Sequence, residues 1–180
     1  VDKEAILNGA GINLEIYEYK PYPKSDPPHF LYLGRIMKEK GMDELFSAAE
    51  KLHDDGYKFV LDLVGFFEDE YKERVELLES KGVVKFHGFQ EEPRPYYATA
   101  DCVVMPSYHE GMSNVNLEAS ATGRPVITTD IPGCRESVEN EYTGWLCEPK
   151  NVDSLYEKMK AFLETDISKR EVMGKYARQK

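Results

Sequence analysis

No run of about 18 apolar residues occurs, so no segment reads as a membrane-spanning helix. Cysteine is scarce: Cys102, Cys134 and Cys147 stand far apart, with no CxxC. That odd, scattered set excludes a disulfide framework or a zinc site built on paired cysteines, and it suits the reducing cytoplasm. Positive charge is the minority sign. Lys and Arg number 23 against 33 Asp and Glu, a formal net charge of −10. Such an acidic chain is a poor partner for nucleic acid through a basic surface, although it leaves room for one local basic pocket. GxxxxGK[ST] is missing, and so is Asp-x-Asp, which argues against a metal-dependent nucleotide-sugar site. His29, His53, His87 and His109 lack ligand spacing, so each reads as a satisfied or exposed histidine. Gly9-Ala10-Gly11 opens like a dinucleotide fingerprint, but Leu14 stands where its last glycine belongs. Gly111-Met112-Ser113 lacks the second glycine of a nucleophile elbow, since Val115 stands there. No signal peptide is visible; the chain opens on Val1 and closes on a basic helical stretch, so both ends read as cuts in a longer protein.

What is present is one domain's worth of sequence. In 180 residues, 41% are hydrophobic and 12% aromatic, enough for a single real core. Residues 1–29 read as an irregular lead-in, with a turn at Asn8-Gly9-Ala10-Gly11 and an extended linker from Pro21 to Pro28. Short apolar strands then follow at His29–Leu33, Phe59–Val64 (broken by Asp62 alone), Val83–Phe86, Cys102–Met105 and Pro125–Thr128. Helical spacing appears between and after them, over Met42–Asp54, Glu68–Ser80, Arg94–Thr99, Val115–Thr122, Val152–Glu164 and Ser168–Arg178. Strands that do not alternate are buried on both faces, which predicts a doubly wound parallel α/β sheet with helices on both sides. Such sheets bind ligands at the carboxyl ends of their strands.

Three post-strand segments carry unusual chemistry. In Gly34-Arg35-Ile36-Met37-Lys38-Glu39-Lys40-Gly41, Arg35 and Lys40 leave a strand on a loop that opens a helix, a setting that suits a diphosphate; an ordinary solvated loop has the same look. In Pro106 to Ala119, Glu110 lies on a loop and Glu118 in the early turns of a helix that Ser113 can cap. Two carboxylates around a row of N–H donors can accept hydroxyls and hold a phosphate; equally, Glu110 can be a surface residue and Glu118 a helix-dipole partner. Ile131-Pro132-Gly133-Cys134-Arg135-Glu136 is a turn that gains interest from the company it keeps on the same sheet edge.

Together these residues resemble the carboxyl-terminal domain of glycosyltransferase family 4, retaining enzymes of the two-Rossmann-domain GT-B architecture. Asn8 to Asn13 resembles the family's NG(V/I)D, Gly34 to Gly41 its GRxxxxKG, and Glu110 to Glu118 its E-x7-E, continued as EA-x-A-x-G-x-PV through Val126. The resemblance implies that Gly34, Arg35 and Lys40 meet the donor diphosphate, Glu110 the donor sugar, and Glu118 the ribose. The amides of Gly111, Met112, Ser113 and Asn114 would meet phosphate and sugar, with Gly88-Phe89-Gln90 bordering the base. Many members carry an aromatic residue and a glycine after the first Glu, where this chain has Met112 and Ser113. The EGMSN and PGCRE stretches are similar to enzymes of capsule, O-antigen and lipid-linked oligosaccharide synthesis, often users of UDP-galactose or its N-acetylamino relatives.

The resemblance implies a donor-binding half covering residues 30–180, led in by the interdomain segment 1–29, with the acceptor domain of the same enzyme absent. It implies a UDP-linked sugar as substrate, a saccharide or lipid-linked saccharide acceptor, no cofactor, no metal and no nucleic acid. The intact enzyme is expected in the cytoplasm, peripherally at the inner membrane face where the acceptor is lipid-linked, and the fragment alone is expected to be inactive. A stand-alone nucleotide-binding or regulatory module is the competing reading. A sugar-nucleotide epimerase is disfavoured by the paired motifs, and a phosphorylase also by the lack of an identifiable pyridoxal lysine.

Overall fold

The computed structural model describes residues 11–180. Asn8 to Ala10, most of the expected turn and half of the NG(V/I)D-like segment, lie outside the described residues. Six parallel strands form one sheet: β1 (His29–Leu33), β2 (Val60–Val64), β3 (Val84–Gly88), β4 (Cys102–Met105), β5 (Val126–Thr129) and β6 (Gly144–Cys147). Their order is β3-β2-β1-β4-β5-β6. The helices are α1 (Met42–Asp54), α2 (Lys72–Ser80), α3 (Arg94–Thr99), α4 (Asn114–Thr122), α5 (Val152–Leu163) and α6 (Ile167–Gln179). This is the expected Rossmann-like, doubly wound fold.

Alternation along each strand splits the core between two faces. Phe30, Tyr32, Leu61, Leu63 and Val104 pack with α1, α2 and α5. Leu31, Val64, Val103 and Val126 pack with Tyr97 of α3 and Ala119 of α4. Asp62, the one polar residue in the middle of β2, is accommodated because Oδ2 lies 2.7 Å from His29 Nδ1 and Oδ1 lies 2.8 Å from His87 Nε2. Two of the four histidines are thus satisfied, and His53 and His109 are exposed.

Two expectations need correction. The helix expected from Glu68 begins at Lys72. Its intended first turn is committed elsewhere: Phe67 bridges Ile36, Glu68 N donates to Ile36 O at 3.1 Å, and Asp69 Oδ2 accepts from Lys38 N at 2.8 Å. The strand β6 was not anticipated, because it opens on a glycine, a residue that argues against a strand when read from sequence. Gly144 opens it of necessity, since a Cβ there would sit 1.9 Å from Val126 O. Other boundaries agree to within two residues.

The chain starts in the middle of the sheet, runs outward through β2 and β3, then returns to place β4 on the other flank of β1. Successive crossovers therefore leave β1 and β4 in opposite directions, and a crevice opens between the loops at their carboxyl ends. Those loops are Gly34–Gly41 and Pro106–Ser113, the first two constellations. Topology alone brings them face to face.

Candidate functional site

Gly34 leaves β1 with φ 150°, its N–H donating to Val64 O at 2.9 Å, and the Tyr32 hydroxyl donates to Arg35 O at 2.5 Å. The backbone of this loop is therefore fixed, while the Arg35 side chain is exposed and makes no ion pair among the described residues. A 3-10 turn over Lys38–Lys40 delivers Lys40 inward, and Gly41 (φ 78°) closes the turn against the second loop. A Cβ at Gly41 would lie 2.0 Å from Pro106 O, so this contact requires glycine.

Lys40 Nζ lies 2.6 Å from Glu110 Oε1, and the Ser107 hydroxyl donates to the same oxygen at 2.8 Å. Both charged side chains are largely shielded, at 18% and 14% exposure. Ser107 is held in turn, since Thr129 Oγ1 donates to Ser107 O at 2.6 Å. The neighbouring Tyr108 N donates to Glu39 O at 2.8 Å, which ties the loops after β1 and β4 together.

The Pro-Gly turn after β5 supports this loop from beneath. Ser113 N donates to Gly133 O at 2.9 Å, and a Cβ at Gly133 would stand 2.3 Å from Glu110 O. The capping role expected of Ser113 is present: its Oγ accepts from Asn116 N at 3.3 Å. The helix it starts spans nine residues, and the amides of Asn114 and Val115 in its first turn have no intrahelical acceptor. They remain free to meet an anion.

Two adjoining hollows result, sharing Arg35, Lys40 and Glu110. One, of about 290 Å³, runs from Gly34 past Met112, Ser113 and Asn114 to Val115. The other, of about 490 Å³, extends past Gly111 to Tyr108, His109, Ile131 and Pro132. The Lys40–Glu110 pair stands between them. A further groove of about 360 Å³, beside Glu15, Glu92 and Arg94, lies away from these loops and has no comparable chemistry.

Glu118 sits one turn along α4 from Asn114, on the same helix face. It is half-buried, and the Tyr97 hydroxyl donates to its Oε2 at 2.7 Å. Burial raises its carboxyl above the ordinary value, and hydrogen bonds from Tyr97 and Tyr17 partly oppose that rise. Gly88-Phe89-Gln90 occupies the end of β3, two strands from β1 on the same rim, outside both hollows. Phe89 is 64% exposed and meets Phe66, 44% exposed, edge to face at 6.2 Å between centroids.

The structure therefore gathers Gly34, Arg35, Lys40, Glu110, Gly111, Met112, Ser113 and Asn114 at one cleft. Glu118, one turn further along α4, and Gly88-Phe89-Gln90, at the end of β3, line neither hollow. Sequence reasoning missed Ser107, Tyr108, Tyr97 and Tyr17. The Pro106-Ser107 step that stops β4 was a signal for the first two, whereas nothing local marks the pairing of Tyr97 with Glu118. Among the described residues no group of three or more His, Cys, Asp and Glu side chains is arranged to hold a metal ion.

Residues 17–180 match the family of glycosyl transferases group 1. The chain belongs to that family. Among curated relatives, the capsular polysaccharide biosynthesis glycosyltransferase CapM of Staphylococcus aureus is 31% identical over 153 residues, covering 83% of this chain and 40% of CapM. The N,N'-diacetylbacillosaminyl-diphospho-undecaprenol alpha-1,3-N-acetylgalactosaminyltransferase of Campylobacter jejuni is 30% identical, covering 92% of this chain and 46% of that enzyme. The chain thus spans less than half the length of these relatives. Among solved structures, sucrose-phosphate synthase from Thermosynechococcus elongatus superposes with a TM-score of 0.76 at 28% identity, over 94% of this chain and 45% of that one. The isolated C-terminal domain of a group 1 protein, LpcC from Francisella tularensis, shares the fold over 94% of this chain and 95% of that one, with a TM-score of 0.79 at 22% identity.

Proposed function

We propose that this chain is the donor-binding domain of a glycosyltransferase that moves a sugar from a nucleoside diphosphate, UDP by preference, to a saccharide or lipid-linked saccharide acceptor in polysaccharide synthesis, with retention of configuration. The observation that carries it is the convergence of Arg35, Lys40, Glu110 and the first turn of α4 on one cleft at the strand-order switch. Arg35 would fork onto the diphosphate, Lys40 and the free amides of α4 would add positive charge, and Glu110 would clamp hydroxyls of the sugar. Glu118 would accept from the ribose, with the Gly88-Phe89-Gln90 loop beside the base. The smaller hollow suits the diphosphate and the larger one the sugar.

Cleavage of the sugar–phosphate bond builds negative charge on the leaving diphosphate. The two cations and the helix-end amides would stabilise that charge, and the shielding of Lys40 from water makes its share worth more than in bulk. The acceptor would be held by an N-terminal domain of the same enzyme, so the 180-residue chain should bind donor without turning it over. An intact enzyme would work in the cytoplasm, at the membrane face where its acceptor is a lipid. No helix among the described residues is long and apolar enough to cross a membrane.

Calorimetric titration of the chain with UDP, GDP and ADP, then with their sugar conjugates, tests this reading. Binding of one of these diphosphates in preference to the other two supports it. Binding of none of them, by a chain whose fold is intact, ends it.

A further inference from the structure

Glu118 carries an arrangement that an ordinary ribose carboxylate does not require. It is half-buried on α4, and its Oε2 accepts from the Tyr97 hydroxyl at 2.7 Å. Tyr97 is fully buried in the α3 face of the core, so its phenol cannot swing away. Tyr17 packs edge to face on the Tyr97 ring, with centroids 6.0 Å apart. Its own hydroxyl is pushed up to about 12, by burial first and then by the nearby Glu118 charge.

Tyr17 belongs to the segment ahead of β1, and that segment is firmly seated. The Arg178 guanidinium of α6 donates to Tyr17 O at 2.7 Å and to Ala121 O at 2.9 Å. Arg124, fully buried, donates to Lys20 O at 3.0 Å, Pro21 O at 2.9 Å, Tyr97 O at 3.0 Å and Ala98 O at 2.8 Å. One guanidinium thus fixes the Tyr17 segment and the Tyr97 helix to each other. A flexible glutamate side chain loses rotamer freedom on binding, and a partner that restrains it beforehand lowers that cost.

We propose that Tyr97, backed by Tyr17, is the positioning residue of Glu118, aiming its carboxylate so that the oxygen not held by Tyr97 can accept a hydroxyl of the nucleotide ribose. The proposal rests on the reading of Glu118 as the ribose carboxylate. The second function of the phenols is electrostatic: their hydrogen bonds favour the ionised form against the burial that opposes it.

The test is calorimetry on the full 180-residue chain with UDP and 2′,3′-dideoxy-UDP. The unsubstituted chain should prefer UDP by roughly tenfold or more, as befits a hydrogen bond to a charged group. Tyr97→Phe should shrink that preference by roughly tenfold, leave dideoxy-UDP affinity unchanged, and move the acid limb of UDP binding to higher pH. Tyr17→Phe should act in the same direction more weakly. A merely structural loss would weaken both ligands alike, and that result overturns the proposal. A preference kept intact in Tyr97→Phe also overturns it, leaving the ribose role of Glu118 standing. Equal affinity for both ligands in the unsubstituted chain and in Glu118→Gln removes the ribose role itself. Should Tyr97→Phe lose its thermal transition, the same ratio in Tyr17→Phe decides.

Discussion

Glu110→Gln should tighten the binding of a bare nucleoside diphosphate while eroding the preference for its sugar conjugate. In the resting site Lys40 is already engaged, with Nζ 2.6 Å from Glu110 Oε1 and both groups shielded from water. A diphosphate arriving at Lys40 meets the Glu110 charge as well, and it must share the ammonium. Unit charges about 4 Å apart interact by ~1 kcal/mol in water and ~4 kcal/mol at an effective dielectric near 20. With the diphosphate a little further from Glu110 than Lys40 is, the relief should be about 1–2 kcal/mol, roughly a 5- to 30-fold gain for UDP. Glutamine keeps the shape and one carbonyl acceptor for Ser107. Against a sugar hydroxyl it loses a charge-assisted bond worth about 1.5–3 kcal/mol. The ratio of sugar-nucleotide to UDP affinity should therefore fall by roughly 10- to 150-fold. Calorimetry with UDP and UDP-hexoses reads both numbers, and a circular-dichroism melt checks the fold. Unchanged or weakened UDP binding in a folded Glu110→Gln chain would refute the reasoning, since it would mean that Lys40 is not the cation a phosphate competes for.

Three further outcomes follow from the same geometry. Arg35→Ala and Lys40→Ala should each weaken UDP binding by about 1.5–3 kcal/mol in the same titration; Lys40→Ala should also lower the melting temperature, because Glu110 then lacks its counter-charge. Gly133→Ala should cost UDP affinity more than stability, since its Cβ would press on Glu110 O at 2.3 Å and strain a φ of 88°; chemical denaturation beside calorimetry separates the two, with a destabilisation of about 1–3 kcal/mol expected. Burial holds the Glu118 carboxyl above its unfolded value. The folded chain then binds the proton more tightly, so stability should fall as pH rises from the ordinary carboxylate range through the raised value. Glu118→Gln should flatten that slope in urea midpoints measured across pH.

Much of the architecture could be read from the strands. Cys102-Val103-Val104-Met105 and Phe59 to Val64 do not alternate, and a strand buried on both faces belongs in a parallel sheet. The glycine at 133 was legible as a turn, and the structure shows why it and Gly41 admit nothing larger. What the sequence hid was tertiary. Helical spacing promised a start at Glu68, yet hydrogen bonds to Ile36 and Lys38 outcompete that turn. β6 is an edge strand whose single glycine matters because of Val126 across the ladder, a partner 18 residues earlier (144 − 126). The pairing of Lys40 with Glu110, and of Tyr97 with Glu118, joins residues whose separation in the chain carries no periodic signal.

Gly41 pressed against Pro106, and Gly133 pressed beneath Glu110, have a consequence for anyone redesigning specificity. The loops after β1, β4 and β5 are an interlocked set, each using a neighbour's backbone as its floor. A graft that exchanges one of them for the counterpart of a different transferase would leave a carbonyl colliding or a gap unfilled. Substrate range in this domain should therefore change by moving the three segments as a block, and by single substitutions only at side chains that no other loop leans on, such as Met112 and His109.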